Sequence, residues 1–139
     1  MDVLVRDVPE QVVITEQRMV DQAALESDHF PPEPVFIVIY EGNPNEGETA
    51  VECCTPLRAG VAAPADAASR VIPAHREAYS RVTKRVAESG RIGDVYVVTE
   101  QWIGSNGLEI AAAPRETYWT DFYAASENDV VFDVAFPVR

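Results

Sequence analysis

The chain has 139 residues, 47% of them hydrophobic and 24% charged, ordinary usage for one globular domain rather than a disordered or fibrous chain. Eleven Lys and Arg stand against 23 Asp and Glu, a net charge of −12, and Lys84 is the only lysine. This balance argues against direct nucleic-acid binding by the chain and against an anionic membrane, and it favours a cationic ligand. No basic and apolar leader opens the chain, and its densest apolar run, Val35 to Tyr40, has six residues where a bilayer span needs ~20. The only cysteines, Cys53 and Cys54, are adjacent and cannot bridge two segments, so a reducing, cytoplasmic setting is expected.

In chain order, Val8-Pro9-Glu10-Gln11 leads into a first strand from Val12 to Thr15. Asp21 to Ser27, with Ala23, Ala24 and Leu25, has room for a helix of only two turns. The run from Pro34 to Tyr40 is apolar on both faces and suits the middle of a covered sheet. Glu41 to Thr49 is a polar hairpin connection, and a further strand runs through Val51, Glu52 and Cys53 to Leu57. Arg58 to Ser69, rich in Ala, Pro and Gly, reads as a linker.

The second half repeats this order. Ile72-Pro73-Ala74-His75 leads into a strand, and Ile92, Val95, Tyr96, Thr99, Trp102 and Ile103 form one apolar stripe of helical period. Asn106-Gly107 supplies the helix stop. A tyrosine-bearing strand follows over 114–119, and the last strand alternates Val130, Phe132, Val134 and Phe136 against Val131, Asp133 and Ala135, predicting one core face. Val51 to Leu57 and Phe132 to Val138 share one pattern, and Tyr40 aligns with Tyr118. The expected fold is α+β: duplicated βαββ modules forming an antiparallel sheet with helices. Residues 1–139 make one domain, with module one at 1–57, the linker at 58–69 and module two at 70–139.

Familiar catalytic signatures are missing. No GxSxG, HExxH, CxxC or Gly-rich phosphate loop occurs, and neither a metal site nor a cofactor is expected. His29 and His75 read as isolated surface residues, Cys53 and Cys54 as small hydrophobes, and Glu41, Glu46 and Glu48 as a solvated loop. Glu52 and Asp133 hold equivalent repeat positions, which suggests a shared structural role such as strand-end hydrogen bonding. The repeat breaks at Glu116, which stands opposite Val38. Alternation puts Glu116 and Tyr118 on one face, matching Phe36, Val38 and Tyr40 in the first module, while Arg115, Thr117 and Trp119 take the other. A carboxylate among aromatic faces suits an apolar cation, and the competing reading is a strand glutamate facing water or paired with an arginine. Tyr96 and Trp102 lie on the apolar stripe, where core packing is the default and a ligand wall the alternative.

The segment Val71 to Tyr79, the helix with Tyr96 and Trp102, Asn106-Gly107, Pro114-Arg-Glu-Thr-Tyr118 and Phe132-Asp-Val-Ala-Phe-Pro-Val138 together resemble the GyrI-like effector-binding domains. So do Pro34 to Tyr40 and Val51-Glu52-Cys53. The resemblance implies a cleft on the pseudo-twofold axis of the two modules in which Glu116 engages hydrophobic, often cationic, ligands, with Tyr96, Trp102 and Tyr118 lining it; Tyr40 and Phe36 complete the expected ligand-binding set. Such domains occur behind MerR- or AraC-type DNA-binding regions as drug sensors and also alone. With Met1 to Thr15 already in the first strands, a stand-alone binding protein is expected. Some stand-alone relatives hydrolyse cyclopropane-bearing alkylating antibiotics, which would make Glu116 a general base. Three functions follow: binding or sensing of small cationic or aromatic compounds, hydrolysis of such electrophiles, or inhibition of a protein partner through the acidic surface. The first is preferred, whether the chain is an enzyme stays open, and so does a homodimer.

Overall fold

Alternating apolar residues and proline-marked turns become eight strands, three α-helices and one turn of 3-10 helix (Pro44–Glu46) in the computed structural model, which describes residues 2–27, 36–58 and 60–139. In the first half these are β1 (Val3–Val8), β2 (Gln11–Val20), α1 (Gln22–Ser27), β3 (Phe36–Tyr40) and β4 (Thr49–Pro56). The second half supplies β5 (Ser69–Ile72), β6 (His75–Thr83), α2 (Lys84–Glu88), α3 (Ile92–Ser105), β7 (Arg115–Tyr118) and β8 (Val130–Val138). Pro34 and Val35 of the expected third strand, and His29, lie outside the described residues.

All eight strands join one sheet in the order β1-β6-β8-β7-β3-β4-β2-β5, and every pairing is antiparallel. Exchanging each strand for its counterpart in the other half, β1 for β5 through β4 for β8, reverses this order. The pseudo-twofold axis therefore passes between β3 and β7. There Val38 pairs with Glu116, the two residues that the repeat makes equivalent. The axis thus runs through a position at which apolar and acidic residues replace one another.

The edge strands are exchanged between the halves. β1 pairs with β6 of the second half, and β5 pairs with β2 of the first. Only Pro9 and Glu10 separate β1 from β2, a reach of ~11 Å, yet six strand spacings lie between them, roughly 29 Å across a flat sheet. The sheet must curl until its ends approach. Its inner face then lies within the curl and its outer face beneath the helices.

The outer face carries the larger core. Val95 and Ile103 of α3 pack with Ala78, Val82, Phe132, Val134 and Phe136. A buried hydrogen bond of 2.7 Å between Ser80 and Thr99 fixes α3 to β6, and Thr99 also donates to the Val95 carbonyl. Gly107, at φ 71°, ends α3 in the left-handed conformation that glycine tolerates. The short α1 begins where Asp21 accepts the Ala24 amide, and Ala24 packs on Val20, Val38 and Val51. The inner face has its own cluster of Val13, Ile37, Ile39, Cys54 and Ile72.

Two expectations change here. The last strand is buried on both faces, because the curl covers Asp133 and Ala135 while the helices cover Phe132, Val134 and Phe136; the register shift between Val82 and Thr83 interrupts the alternation, so Val131 joins the outer core and Val130 is exposed. A five-residue helix, α2, also stands before α3, started by Thr83, whose hydroxyl accepts the Val86 amide.

Glu52 and Asp133 do share a role, though not at strand ends. Asp133 accepts 2.8 Å hydrogen bonds from Arg6 of β1 and from the Trp119 indole. Glu52 takes two 2.7 Å bonds from Arg70 of β5 and a further one from Thr15. Arg6 and Arg70 are themselves repeat equivalents, so each exchanged edge strand is clamped to the opposite half by the same ion pair. Removing one partner of a buried pair strands the other. Arg6→Met should cost roughly 3 kcal/mol in denaturant unfolding, and Arg70→Met less, because Arg70 is the more exposed arginine. Arg70 holds the Glu52 carboxyl below its ordinary value, so this stabilisation is present above the ordinary carboxylate pKa and lost as pH falls through the lowered one. The deficit of Arg70→Met should accordingly shrink in acid.

Candidate functional site

The β3·β7 register places Phe36, Val38 and Tyr40 beside Tyr118 and Glu116 on the outer face, and α3 brings Tyr96 over them. Glu116 is 7% exposed. Its Oε2 accepts from the Tyr96 hydroxyl at 2.7 Å, and its Oε1 from Tyr118 at 2.8 Å and, more weakly, from Tyr40 at 3.4 Å. Tyr118 and Glu116 can meet because residues two apart on a strand share a face. Tyr96 can reach because the apolar stripe of α3 faces the sheet.

The charge logic of this group is unusual. A buried carboxylate normally finds a basic partner. Glu116 has three phenols instead, and among the described residues no basic side chain is paired with it. Burial pushes its pKa above the ordinary carboxylate value, while the three hydroxyl donors pull it back. Burial first and then the Glu116 charge push all three phenols well above their ordinary value, so they remain donors.

Aromatic packing closes the group. Phe36 stacks on Tyr118 with centroids 4.3 Å apart, Tyr118 on Phe132 at 4.7 Å, and Tyr96 meets Phe136 edge-on at 5.9 Å. Of the residues expected from the sequence, Glu116, Tyr118, Tyr96, Tyr40 and Phe36 therefore come together. Trp102 is half-buried on α3 and packs on the core around β8, and no hydrogen bond or ring contact links it to Glu116 among the described residues.

The other sequence candidates fall elsewhere. Cys53 and Cys54 are buried and unpaired, and burial pushes their thiols up to about 12 and about 11, which leaves them unreactive. His75 is not the isolated surface residue expected. Its ring lies mostly covered on the inner face, beside Glu77. That face also holds Arg115 and Thr117, whose opposite orientation to Glu116 was visible in the strand alternation, though not their burial.

No family model matches the sequence, and no curated protein does. Solved structures do match. The crystal structure of the EcmrR C-terminal domain superposes with a TM-score of 0.79 at 17% identity, covering 99% of this chain and 97% of that one. In the EcmrR–DNA complex the match spans 57% of the EcmrR chain. SAV2435 bound to tetraphenylphosphonium matches at TM-score 0.61 and 11% identity, over 100% and 94% of the two chains. A hydrolase from Listeria innocua matches at TM-score 0.64 and 10% identity, over 99% and 91%. At these identities the likeness establishes the fold, and the α+β class expected from the repeat, an antiparallel sheet with helices, is the one found.

The raised Glu116 pKa has a stability consequence. A carboxyl whose folded pKa is raised contributes fully below its unfolded pKa and loses that contribution as pH rises through the folded one. The stability of the wild type relative to Glu116→Gln should therefore decline with pH above the ordinary carboxylate range, by at most about 1.4 kcal/mol per pH unit. Urea titrations of both proteins across that window measure the slope, and parallel curves would contradict it.

Proposed function

We propose that this chain is a GyrI-like effector-binding domain that takes a hydrophobic organic cation at Glu116. The observation that carries the reading is the buried carboxylate held by Tyr40, Tyr96 and Tyr118 with no basic partner among the described residues. A cation is the component that such a group lacks. Delivered with an apolar shell, it gains Coulomb attraction in a poorly solvated site and cation–π contact with the tyrosine rings. The phenol donors keep the carboxylate in place and favour its ionised form. The net charge of −12 draws cations toward the protein, and tetraphenylphosphonium, the compound bound by the SAV2435 fold neighbour, is a cation of this kind.

A second reading, hydrolysis of a strained electrophile, is favoured by the raised Glu116 pKa, which moves the group toward the range of a general base, and by the hydrolase among the fold neighbours. On that reading Glu116 orients and deprotonates a water, and a phenol supports the leaving group.

Calorimetry with tetraphenylphosphonium tests the preferred reading. Wild type should bind, and Glu116→Gln should bind roughly ten- to a hundredfold more weakly, a loss of about 1.4 to 2.8 kcal/mol. Because the cation binds the ionised carboxylate, affinity should rise with pH through the raised Glu116 pKa and then level off, while Glu116→Gln shows no such rise. Equal binding by the variant, or equal binding of a neutral aromatic of the same size, would overturn the proposal. Turnover of a cyclopropane-bearing electrophile that Glu116→Gln abolishes would establish the second reading.

A further inference from the structure

The inner face of the sheet holds a second group of buried polar side chains that the Glu116 site does not use. β7 contributes Arg115 and Thr117, β6 contributes His75 and Glu77, and β1 contributes Arg6. With Trp119 they line a pocket of about 290 Å³, bordered by Pro9 where the β1–β2 turn crosses the curl. Ile37 adds an apolar side.

Arg6 is already committed. It bonds Asp133 at 2.8 Å, and its guanidinium lies 3.8 Å from the centre of the Tyr79 ring. Arg115 and Glu77 are not. Arg115 is 7% exposed, yet one Nη gives a single 3.2 Å bond to the Ala113 carbonyl and its Nε has no partner. Glu77 is 3% exposed. Its Oε1 lies 3.6 Å from both Arg6 Nε and His75 Nε2, longer than a hydrogen bond, and its Oε2 has no partner. His75 Nδ1 sits 2.9 Å from the Pro73 carbonyl and so carries a proton, while Nε2 is also without a partner. Folded proteins rarely leave buried donors and acceptors unpaired, and here one unsatisfied donor and two unsatisfied ring or carboxylate atoms belong to residues lining one pocket.

The charges then specify what would complete it. Arg6 and Asp133 neutralise each other and Asp7, at the rim, is exposed to solvent, which leaves one buried guanidinium and one buried carboxylate. An anion would satisfy Arg115 and leave Glu77 stranded, and a cation would do the reverse. We propose that this pocket binds a small zwitterion with an apolar side group, an amino-acid-like molecule whose carboxylate meets Arg115 and whose ammonium meets Glu77. Its volume lies at the small end of ligand sites, which fits a molecule of that size. The apolar group rests against Ile37 and Trp119.

The Trp119 indole, on the pocket wall, and the Trp102 indole, on α3, report the two faces separately in amide-correlation NMR of the whole chain. Titration of L-phenylalanine to about 10 mM should shift the Trp119 indole and the Thr117 amide to saturation and leave the Trp102 indole in place. The anion 3-phenylpropionate and the cation phenethylamine should each bind at least tenfold more weakly. Glu77→Gln and Arg115→Gln should each weaken L-phenylalanine binding at least tenfold. If either variant fails to fold, the comparison of the three compounds on the wild type decides alone. No shift with L-phenylalanine, less than tenfold discrimination against both singly charged analogues, or shifts at Trp102 instead of Trp119 would overturn the proposal.

Discussion

Everything in this molecule turns on the antiparallel pairing of β3 with β7. It joins the two halves of the repeat into one sheet, and its register sets Val38 against Glu116 on the pseudo-twofold axis. A slip of one residue would send Glu116 to the inner face and bring Arg115 under the helices. Because two-residue turns tie each exchanged edge strand back to the far side of the sheet, the sheet curls, and both of its faces become covered. Adjacent residues on β7 consequently serve two different environments. Arg115 and Thr117 belong to the curl, and Glu116 and Tyr118 to the helix-covered face.

Three ways of burying a carboxylate stand side by side in this sheet. Glu52 and Asp133, equivalent in the repeat, each take an arginine from an exchanged edge strand, and that pairing holds the halves together. Glu116 has no acidic counterpart and takes three phenols. Glu77 has neither arrangement and keeps one oxygen without a partner. Acids that obey the repeat are each paired with an arginine that also obeys it, although Asp133 keeps one oxygen without a hydrogen bond. Those that break it are where charge is held in readiness, and for that reason both proposals of binding rest on them.

Much of this was legible beforehand, and the reasons are local. The stripe from Ile92 to Ile103 follows helical period because one face of α3 packs on the sheet, and Gly107 ends it through its own backbone freedom. The Tyr40–Tyr118 alignment and alternation along β7 were enough to put Phe36, Tyr40, Glu116 and Tyr118 on one face. Alternation could not show that Arg115, Glu77 and His75 are buried, since burial of the inner face comes from the curl. Nor could it pair Arg6 with Asp133, which are joined only through exchanged edge strands. The default reading of Tyr96 as core packing was half of the answer: its ring packs against Phe136 while its hydroxyl serves Glu116.

The sequence by itself determined the repeat, the dominant helix and the strands that flank it, and the position at which a glutamate in one half replaces a valine in the other. These depend on periodicity and turn chemistry, which act over a few neighbouring residues. Only the tertiary structure decided which strands pair across the halves, how the sheet closes on itself and which charged groups are left without partners. Those outcomes depend on residues far apart in the chain, whose meeting is set by the edge exchange and the curl of the whole sheet.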